Sequence, residues 1–465
     1  MNTRDEPLAG RAVNLCRRAA TPAARTLVQA ILLHFDAHES PDRKRPRTKT
    51  SRENFERLVE GIVCDVTYQV LFQRTIPLHV SRDATTKKSR YRLAWDSGYI
   101  RPSVLDRLHA LGFLRQCKAI PGTARMQGCY RYETTIEAGD DLITLALVYG
   151  VQGINDFVLD TTTQEMMLLK SEKFSEVTEV GQEIQRPAGL VEYEDTFEST
   201  RQRDEIRRVN LCLTSFPMDV VSTEEMPIDP REVQVRGYYT CGDATFQRGG
   251  RFFNRPLPFY MSLSKVNRPI IIRQMGQSYG QGVAEIDYNA MNPRLLYALA
   301  EVGIPTSLQK DPYLIPGFER SRDGIKKLFN AMLFGKDLPA WTMYPENMVE
   351  EGLIGPLFHQ EEYRPIQKVM EAIRTTHAPV AHLFGTGIGH RLMNLEAGLL
   401  RLIILRTFAK GIPCLPVHDC LIVPRSQRKA VVRVMIEAFR DFTGIEGKVK
   451  IQCPRPSLLL KVSAI

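Results

Sequence analysis

The chain has 465 residues, of which 43% are hydrophobic and 25% charged, and its formal net charge is +9. This length predicts about two or three domains with ordinary apolar cores. No apolar run approaches a membrane span, and the N-terminus lacks a signal-peptide core. The nine cysteines show neither Cys-x-x-Cys pairs nor zinc spacing. They indicate reduced, mostly buried thiols of a cytoplasmic protein. The expected location is nucleoid-associated, without a membrane partner.

The charge is unevenly distributed along the chain. Residues 1–150 carry 24 Lys and Arg against 16 Asp and Glu, whereas residues 151–200 carry 3 against 11. Basic surfaces suit phosphates, although charge runs also occur as solvated faces. The pattern predicts a basic nucleic-acid-binding domain over 1–150, an acidic connector with one helix over 151–204, and a second basic domain over 205–465.

The basic N-terminal block begins with two segments of helical periodicity, Thr26–Ala37 and Asn54–Gln69. Between them, Pro41–Arg52 carries six basic residues in twelve and little apolar content. This composition predicts a mobile loop that can lie along phosphates. Leu71–Val80 then has the composition of a strand.

A helix followed by a hairpin is the clearest pattern of this block. Pro102–Leu111 has one apolar face and a following glycine, Phe113 begins a strand, and a turn-rich stretch separates it from a second strand at Cys129–Thr135. This order is typical of a winged helix, and the alternative is a small packed module. The candidate DNA-binding residues are Ser103 and Arg107 on the helix and Arg125 at the wing tip.

Two carboxylates and a cationic helix carry the chemistry of the second half. Val283–Arg294 reads as a strand that ends on Asp287 and continues into a helix. Leu415–Pro424 reads as a hairpin with Asp419 at its tip. Between them, Arg322–Gly335 places Arg322, Lys326, Asn330 and Phe334 four residues apart on one helix face. Two acids that can hold divalent metals, opposite a cationic stripe, indicate phosphoryl transfer.

These three segments resemble the active-site motifs of the family A DNA polymerases and of the related phage single-subunit RNA polymerases. The matching residues are Asp287, Tyr288 and Arg294 in the first motif, Arg322, Lys326, Phe334 and Gly335 in the second, and His418 and Asp419 in the third. Asn292, Asn330 and Cys420 depart from the family pattern, and Phe334 stands where most relatives carry a tyrosine. Upstream, Gly249-Gly250-Arg251 is similar to the Gly-Arg element that contacts the primer strand in that family.

The resemblance implies an α+β fold: a right-hand polymerase palm with reduced fingers in residues 205–465, preceded by a mostly helical winged-helix-like domain. It implies two Mg²⁺ ions, with Mn²⁺ able to substitute, held by Asp287, Asp419 and Tyr288. The implied nucleotide-binding residues are Arg322, Lys326, Asn330, Phe334 and Asn292. The implied primer and template contacts are Arg251, Arg294, His418 and Asn394. The expected partners are a DNA primer-template and dNTPs.

The leading hypothesis is therefore a template-directed nucleotidyltransferase, a DNA polymerase of a plasmid, phage or other mobile element. An RNA polymerase or primer-synthesising enzyme on the same fold is a second reading. A DNA-binding replication initiator with an inactive palm is a third. Asn292 stands where the resembling DNA polymerases carry a Glu that crowds the nucleotide 2′ position, which predicts weak discrimination against NTPs.

Overall fold

The computed structural model describes residues 11–39, 45–71, 78–81, 89–96, 100–118, 134–172, 174–177, 183–186, 188–220, 231–253, 260–262, 272–276, 282–335, 358–362 and 364–452. The chain divides into two compact units. The N-terminal unit comprises Met1–Glu165, Ser222–Ile228 and Arg255–Phe259, and the C-terminal unit comprises the rest. The main division follows Glu165, and residues 166–204 are grouped with the C-terminal unit.

The N-terminal unit combines helices with a small mixed sheet. Its helices are α1 (Pro22–Glu39), α2 (Lys49–Leu71), α3 (Ile100–Ala110) and α4 (Asp140–Val148). Its strands are β1 (Arg11–Ala12), β2 (Arg17–Ala19), β3 (Leu78–Val80), β4 (Leu114–Cys117), β5 (Thr134–Ala138) and β6 (Phe157–Leu159). The sheet order is β1-β3-β5-β4, and β2 pairs with β6.

Helices α1 and α2 confirm the two helices predicted from apolar periodicity. Side chains three to four residues apart on each helix are buried in one core, with Phe35 and Phe55 in edge-to-face contact at 4.8 Å. The predicted loop at 41–52 is wrong from Lys49 onward, because α2 begins there. Arg47 pairs with Glu39 at 2.6 Å, so part of this basic charge is neutralised within the unit.

Helix α3 and the strand after Phe113 are also confirmed. Strand β5 lies between β3 and β4 and is antiparallel to both. The predicted strand at 71–80 is wrong for Leu71, which ends α2, and is confirmed for Leu78–Val80. Residues 72–77 lie outside the described residues. Residues 129–133 of the predicted hairpin and Arg125 lie outside the described residues.

The C-terminal unit contains several small sheets and longer helices. Its helices are α5 (Phe197–Thr214), α6 (Met291–Leu299), α7 (Arg322–Phe334), α8 (Ile366–Thr376), α9 (Gly389–Ala409) and α10 (Arg428–Thr443). Its strands are β7 (Met167–Leu169), β8 (Phe174–Val177), β9 (Glu183–Arg186), β10 (Met218–Val220), β11 (Arg236–Tyr239), β12 (Gly249–Phe253), β13 (Ile272–Met275), β14 (Val283–Tyr288), β15 (Leu415–Val417), β16 (Cys420–Pro424) and β17 (Val449–Gln452).

A four-stranded antiparallel sheet of order β15-β16-β14-β17 organises the second half of this unit. All six residues of β14 are buried, because strands flank it on both sides and α10 packs against it. Helix α9 packs against α10. The strands and helices predicted around the two acidic motifs are thereby confirmed, and they form an α+β layer.

The predicted acidic connector is not a single-helix segment. Strands β7, β8 and β9 lie within it, and β7 pairs in parallel with β11. Thr196 caps the helix α5 that follows by accepting a hydrogen bond from the amide of Ser199. In the part of the chain that the structure describes, no helix is long and apolar enough to cross a membrane.

Candidate active site

Two neighbouring strands of the central sheet bring Asp287 and Asp419 together. In the register of β14 and β16, Asp287 lies opposite Cys420, the residue that follows Asp419. Val417 pairs with Cys420, so His418 and Asp419 form a two-residue turn. His418 adopts a φ of 54°, a left-handed conformation that costs a non-glycine residue about 1–2 kcal/mol. This turn places Asp419 at the hairpin tip beside the end of β14.

The environment of Asp419 disfavours its charged form. Burial, the Asp287 carboxylate and the Glu396 carboxylate raise the pKa of Asp419 to about 7, while Arg251 acts in the opposite direction. The strand register places the two acids side by side, because Asp287 lies opposite the residue that follows Asp419. A cation between them would relieve their mutual repulsion.

The donor set limits which metal these acids suit. Within the described residues, no group of three or more His, Cys, Asp and Glu side chains is arranged to hold a metal ion. Mg²⁺ is commonly bound through one or two carboxylates, with water and substrate phosphates as the other ligands. The hydroxyl of Tyr288 donates to the carbonyl of Met435 at 2.7 Å inside the unit. Tyr288 could therefore contribute only its main-chain carbonyl to such a site.

The carboxylates and the cationic helix face one cavity that is open to solvent. The predicted site residues that line it are Asp287, Tyr288, Asn292, Arg322, Lys326, Asn330, Asp419 and Arg251. Residues absent from those predictions also line it, including Glu396, Tyr313 and Lys450. The cavity thus combines acids and bases that lie far apart in the chain.

Lys450 escaped prediction because its position depends on strand pairing. It lies opposite Asp287 in the register of β14 and β17, and its Nζ is 3.6 Å from the Asp287 carboxylate. A strand at 448–452 could be predicted from the sequence, but its partner could not. Lys450 therefore offsets part of the negative charge at the carboxylate pair.

Arg251 reaches the cavity from a bulge in β12. The pairing of β11 and β12 shifts at Tyr238 and Tyr239, and Gly250 sits there with a φ of 94°. A Cβ at Gly250 would lie 3.1 Å from the Tyr239 ring, so glycine suits this position sterically and conformationally. Arg251 then donates two hydrogen bonds of 2.7 Å to Glu396, a bidentate pair in which Glu396 is 2% exposed.

Asn292 and Asn330, both predicted in the nucleotide site, are in direct contact. The amide of Asn292 donates to the side-chain oxygen of Asn330 at 2.7 Å, and the Asn330 amide donates to the carbonyl of Lys326 at 2.8 Å. Burial raises the pKa of the Tyr313 hydroxyl, and a hydrogen bond with Asn330 opposes that rise. These side chains form one polar wall of the cavity.

Phe334 does not line the cavity. Its ring meets His390 edge-to-face at 5.2 Å between centroids and packs on Gly389, where a Cβ would lie 2.7 Å from it. The ring therefore rests against the beginning of α9. Its predicted stacking under a nucleotide base stays a prediction.

Three of the predicted primer or template contacts serve the architecture around the cavity. Arg294 is 2% exposed and donates to the carbonyls of Asn289 and Gln309 at 3.1 and 2.8 Å. Asn394 donates to the carbonyls of Phe246 and Gly249, which holds the turn before Arg251. His418 forms the turn before Asp419 and meets Phe253 edge-to-face at 5.7 Å. Buried Arg294 presents no free face to a strand in this conformation.

The predicted DNA-binding residues of α3 differ in their surroundings. Ser103 is exposed. Arg107 donates to the carbonyl of His38 at 3.1 Å and lies near the Phe35 ring, so it interacts with the C-terminal end of α1, where a cation is favourable. The structure therefore leaves Ser103 accessible and occupies part of the Arg107 guanidinium.

Comparisons with known proteins give a distant structural likeness. No family model matches the chain, and no curated protein matches it. A solved structure, the POL domain of Pol1 from M. smegmatis in complex with DNA primer-template and dNTP, is 11% identical with a TM-score of 0.28. The match covers 95% of this chain and 66% of that one. A likeness this weak supports no conclusion about the site, which stands on its own geometry.

Proposed function

We propose that this protein is a template-directed nucleotidyltransferase, a DNA polymerase of a plasmid, phage or other mobile element. The observation that carries the proposal is the convergence of Asp287 and Asp419 on one cavity, faced by Arg322 and Lys326. Two acids at the ends of adjacent antiparallel strands and cations from one helix are the groups that phosphoryl transfer requires. The family A resemblance of the motifs supports the same reading.

The proposed division of labour follows the chemistry of each group. Asp287 and Asp419 would hold two Mg²⁺ ions, which supply activation of a primer 3′-hydroxyl and charge neutralisation on the triphosphate. Arg322 and Lys326 would bind the phosphates and stabilise the charge on the leaving pyrophosphate. Lys326 is exposed on the cavity side of α7, which suits contact with a substrate phosphate. Arg251 would contact the primer strand.

The N-terminal unit is proposed to bind duplex DNA through a winged-helix-like module. The order α3-β4-β5, with β3 on the far side of β5, supports this proposal. Ser103→Glu on the exposed face of α3 should weaken duplex binding by the full chain about 3–10-fold at low salt. Thr144→Glu, an equal charge change at an exposed position of α4, is the matched control. Equal effects of the two variants would contradict a role for α3.

The test of the enzymatic proposal is primer extension by the full chain with dNTPs or NTPs. Primed and unprimed templates are compared, each with Mg²⁺ and with EDTA. The proposal expects primer-dependent extension with dNTPs that requires the metal. Synthesis on the unprimed template from NTPs would favour the primer-making alternative, and no product under any condition would favour the inactive initiator.

A further inference from the structure

A segment outside the three motif regions forms part of the cavity and is anchored from several sides. This 309–313 segment lies within the connection between α6 and α7. The carbonyl of Gln309 accepts from Arg294 at 2.8 Å. The carbonyl of Pro312 lies 2.9 Å from Nε2 of His377, and a carbonyl can only accept, so Nε2 carries the proton. Arg294 and His377 are 2% and 0% exposed, so buried side chains hold the segment in place.

The segment also has its own internal turn. The amide of Tyr313 donates to the Oδ1 atom of Asp311 at 3.1 Å, the local bond by which an Asp side chain stabilises a turn. The ring of Tyr313 meets Phe329 of α7 edge-to-face at 5.6 Å. The orientation of Asp311 is therefore set by the turn, and the turn is packed against the cationic helix.

Asp311 and Tyr313 both contact Arg322. The Asp311 carboxylate accepts from Nε of Arg322 at 2.5 Å and from Nη2 at 3.3 Å. The centre of the Arg322 guanidinium lies 5.4 Å from the Tyr313 ring centroid, within cation–π range. Nη2 lies 3.4 Å from the side-chain oxygen of Asn289. The Nε and Nη2 edge of the guanidinium is thus bonded within the protein.

Arg322 and Asp311 differ in their exposure to the cavity. Arg322 and Tyr313 line the cavity, whereas Asp311 is not among the lining residues. The Asp311 side chain is 15% exposed and that of Arg322 is 34% exposed. The Asp311 carboxylate therefore contacts the guanidinium of Arg322 without being part of the cavity lining. An anion in the cavity would meet Arg322 without displacing Asp311.

We propose that Asp311 is a positioning residue for phosphate recognition by Arg322, and that the 309–313 segment is the back wall of the triphosphate pocket. Asp311 fixes Nε and Nη2 so that the remaining guanidinium donors point to the substrate. A planar fork held by a carboxylate loses less freedom when it binds a phosphate than an unrestrained side chain does. This inference rests on the proposed function, since it assigns a ligand to the same cavity.

The experiment measures binding of inorganic tripolyphosphate to the full chain by calorimetry at a fixed Mg²⁺ concentration. It requires no catalysis, so it separates phosphate recognition from polymerase activity. Arg322→Ala should weaken binding about 10–100-fold, the range of a lost hydrogen bond to a charged group. Asp311→Ala should weaken it about 5–10-fold, because the fork loses its anchor. Asp311→Asn retains an oxygen for the Tyr313 amide and should weaken it by a smaller factor.

Asp323 provides the matched control. Its carboxylate is 3.8 Å from Nη1 of Arg322, but its side chain is 79% exposed, so it cannot orient the guanidinium as Asp311 does. Asp323→Asn should leave tripolyphosphate binding within about 2-fold of the wild type. Thermal unfolding of all variants confirms that each is folded. In primer extension, Asp311→Asn should raise the KM for dNTP while kcat and the primer-template Kd change little.

Each alternative result has a defined meaning. If both Asp311 variants bind tripolyphosphate as well as or better than the wild type while Arg322→Ala loses it, Asp311 is a competitor or a bystander and the inference is overturned. Equal losses in Asp323→Asn and Asp311→Asn would reduce the effect to net charge and also overturn it. A wild-type chain that does not bind tripolyphosphate would overturn this inference, whereas the proposed function is tested separately by primer extension.

Discussion

Two aspartates, one in each unit, show how differently a protein can hold a carboxylate. Asp65 on α2 is 0% exposed. It accepts two hydrogen bonds of 2.8 and 2.9 Å from Arg11, one of 2.8 Å from Arg17, and one of 2.7 Å from the amide of Asn14. Burial pushes its pKa up, but the two arginines bring the pKa below its usual value.

Asp419 has the opposite balance. Its neighbours include two further carboxylates, and its pKa rises to about 7 through burial and the charges of Asp287 and Glu396. The fold surrounds the Asp65 carboxylate with positive partners. It places the Asp419 carboxylate beside other negative groups. A carboxylate that folding leaves under repulsion, in an open cavity, is the kind that a cation or substrate completes. Opposite responses to mutation should distinguish the two sites.

The largest effect is expected at the cavity. Asp287→Ala and Asp419→Ala should each reduce nucleotide incorporation by more than about 10³-fold, because metal-assisted transfer loses several kcal/mol of transition-state stabilisation. Asp419→Ala should not lower the melting temperature in metal-free buffer at pH 7, because it removes one of two repelling charges. Asp287→Ala removes the same repulsion but also loses the ion pair with Lys450. Primer extension and thermal unfolding check both points. Near wild-type extension by either variant would refute the metal assignment.

Asp65→Ala should have the reverse profile. Removing the carboxylate leaves Arg11 and Arg17 buried without their anion, which costs about 3–5 kcal/mol of unfolding free energy. Denaturant unfolding measures the loss. Glu53→Ala, an exposed acid on the same helix, should change stability by less than about 0.5 kcal/mol. A small loss in Asp65→Ala would contradict the view of this cluster as a structural ion pair.

The dependence of stability on pH extends the comparison to His377, a buried histidine. Burial lowers the pKa of His377 to about 4. The unfolded chain binds the proton near pH 6.5, so stability is fully present above that pH and is lost as pH falls toward 4. His377 should contribute about 2–3 kcal/mol to that loss. His377→Gln should flatten the profile measured by denaturant unfolding, whereas His359→Gln, at an exposed position, should leave it unchanged.

The smallest effect concerns the sugar. Asn292 is shorter than Glu, and its amide lies in the polar wall with Asn330. Ribonucleotides should therefore be incorporated measurably, with dNTPs still preferred. Asn292→Glu should strengthen dNTP preference by about 1–3 kcal/mol in competition assays. A wild-type preference as strong as in ordinary replicative polymerases, unchanged in this variant, would contradict the assignment.

The site residues that could be predicted from the sequence lie in segments with clear local patterns. Asp287 and Asp419 stand at strand ends that periodicity and turn residues reveal, and the stripe of Arg322 and Lys326 follows from helical spacing. These elements formed as predicted. The order and spacing of the motifs, through the family resemblance, supplied the expectation that they meet.

The remaining site residues depend on tertiary structure that no local pattern encodes. Lys450 meets Asp287 only through the register of β14 and β17. Asp311 and Tyr313 lie in irregular backbone, where periodicity is silent. Arg294 matched a motif position, yet the structure buries it against the 309–313 segment. The sequence alone does not predict the direction in which each of these side chains points.

The most direct test of the central claim is templated single-nucleotide insertion at the cavity. The wild-type chain is given a primed template whose next base is varied over all four identities, with Mg²⁺ or with EDTA, beside Asp419→Asn. We expect insertion of the complementary nucleotide only with Mg²⁺, and none by Asp419→Asn. Insertion that ignores the template base, persists in EDTA or survives in Asp419→Asn would contradict the account.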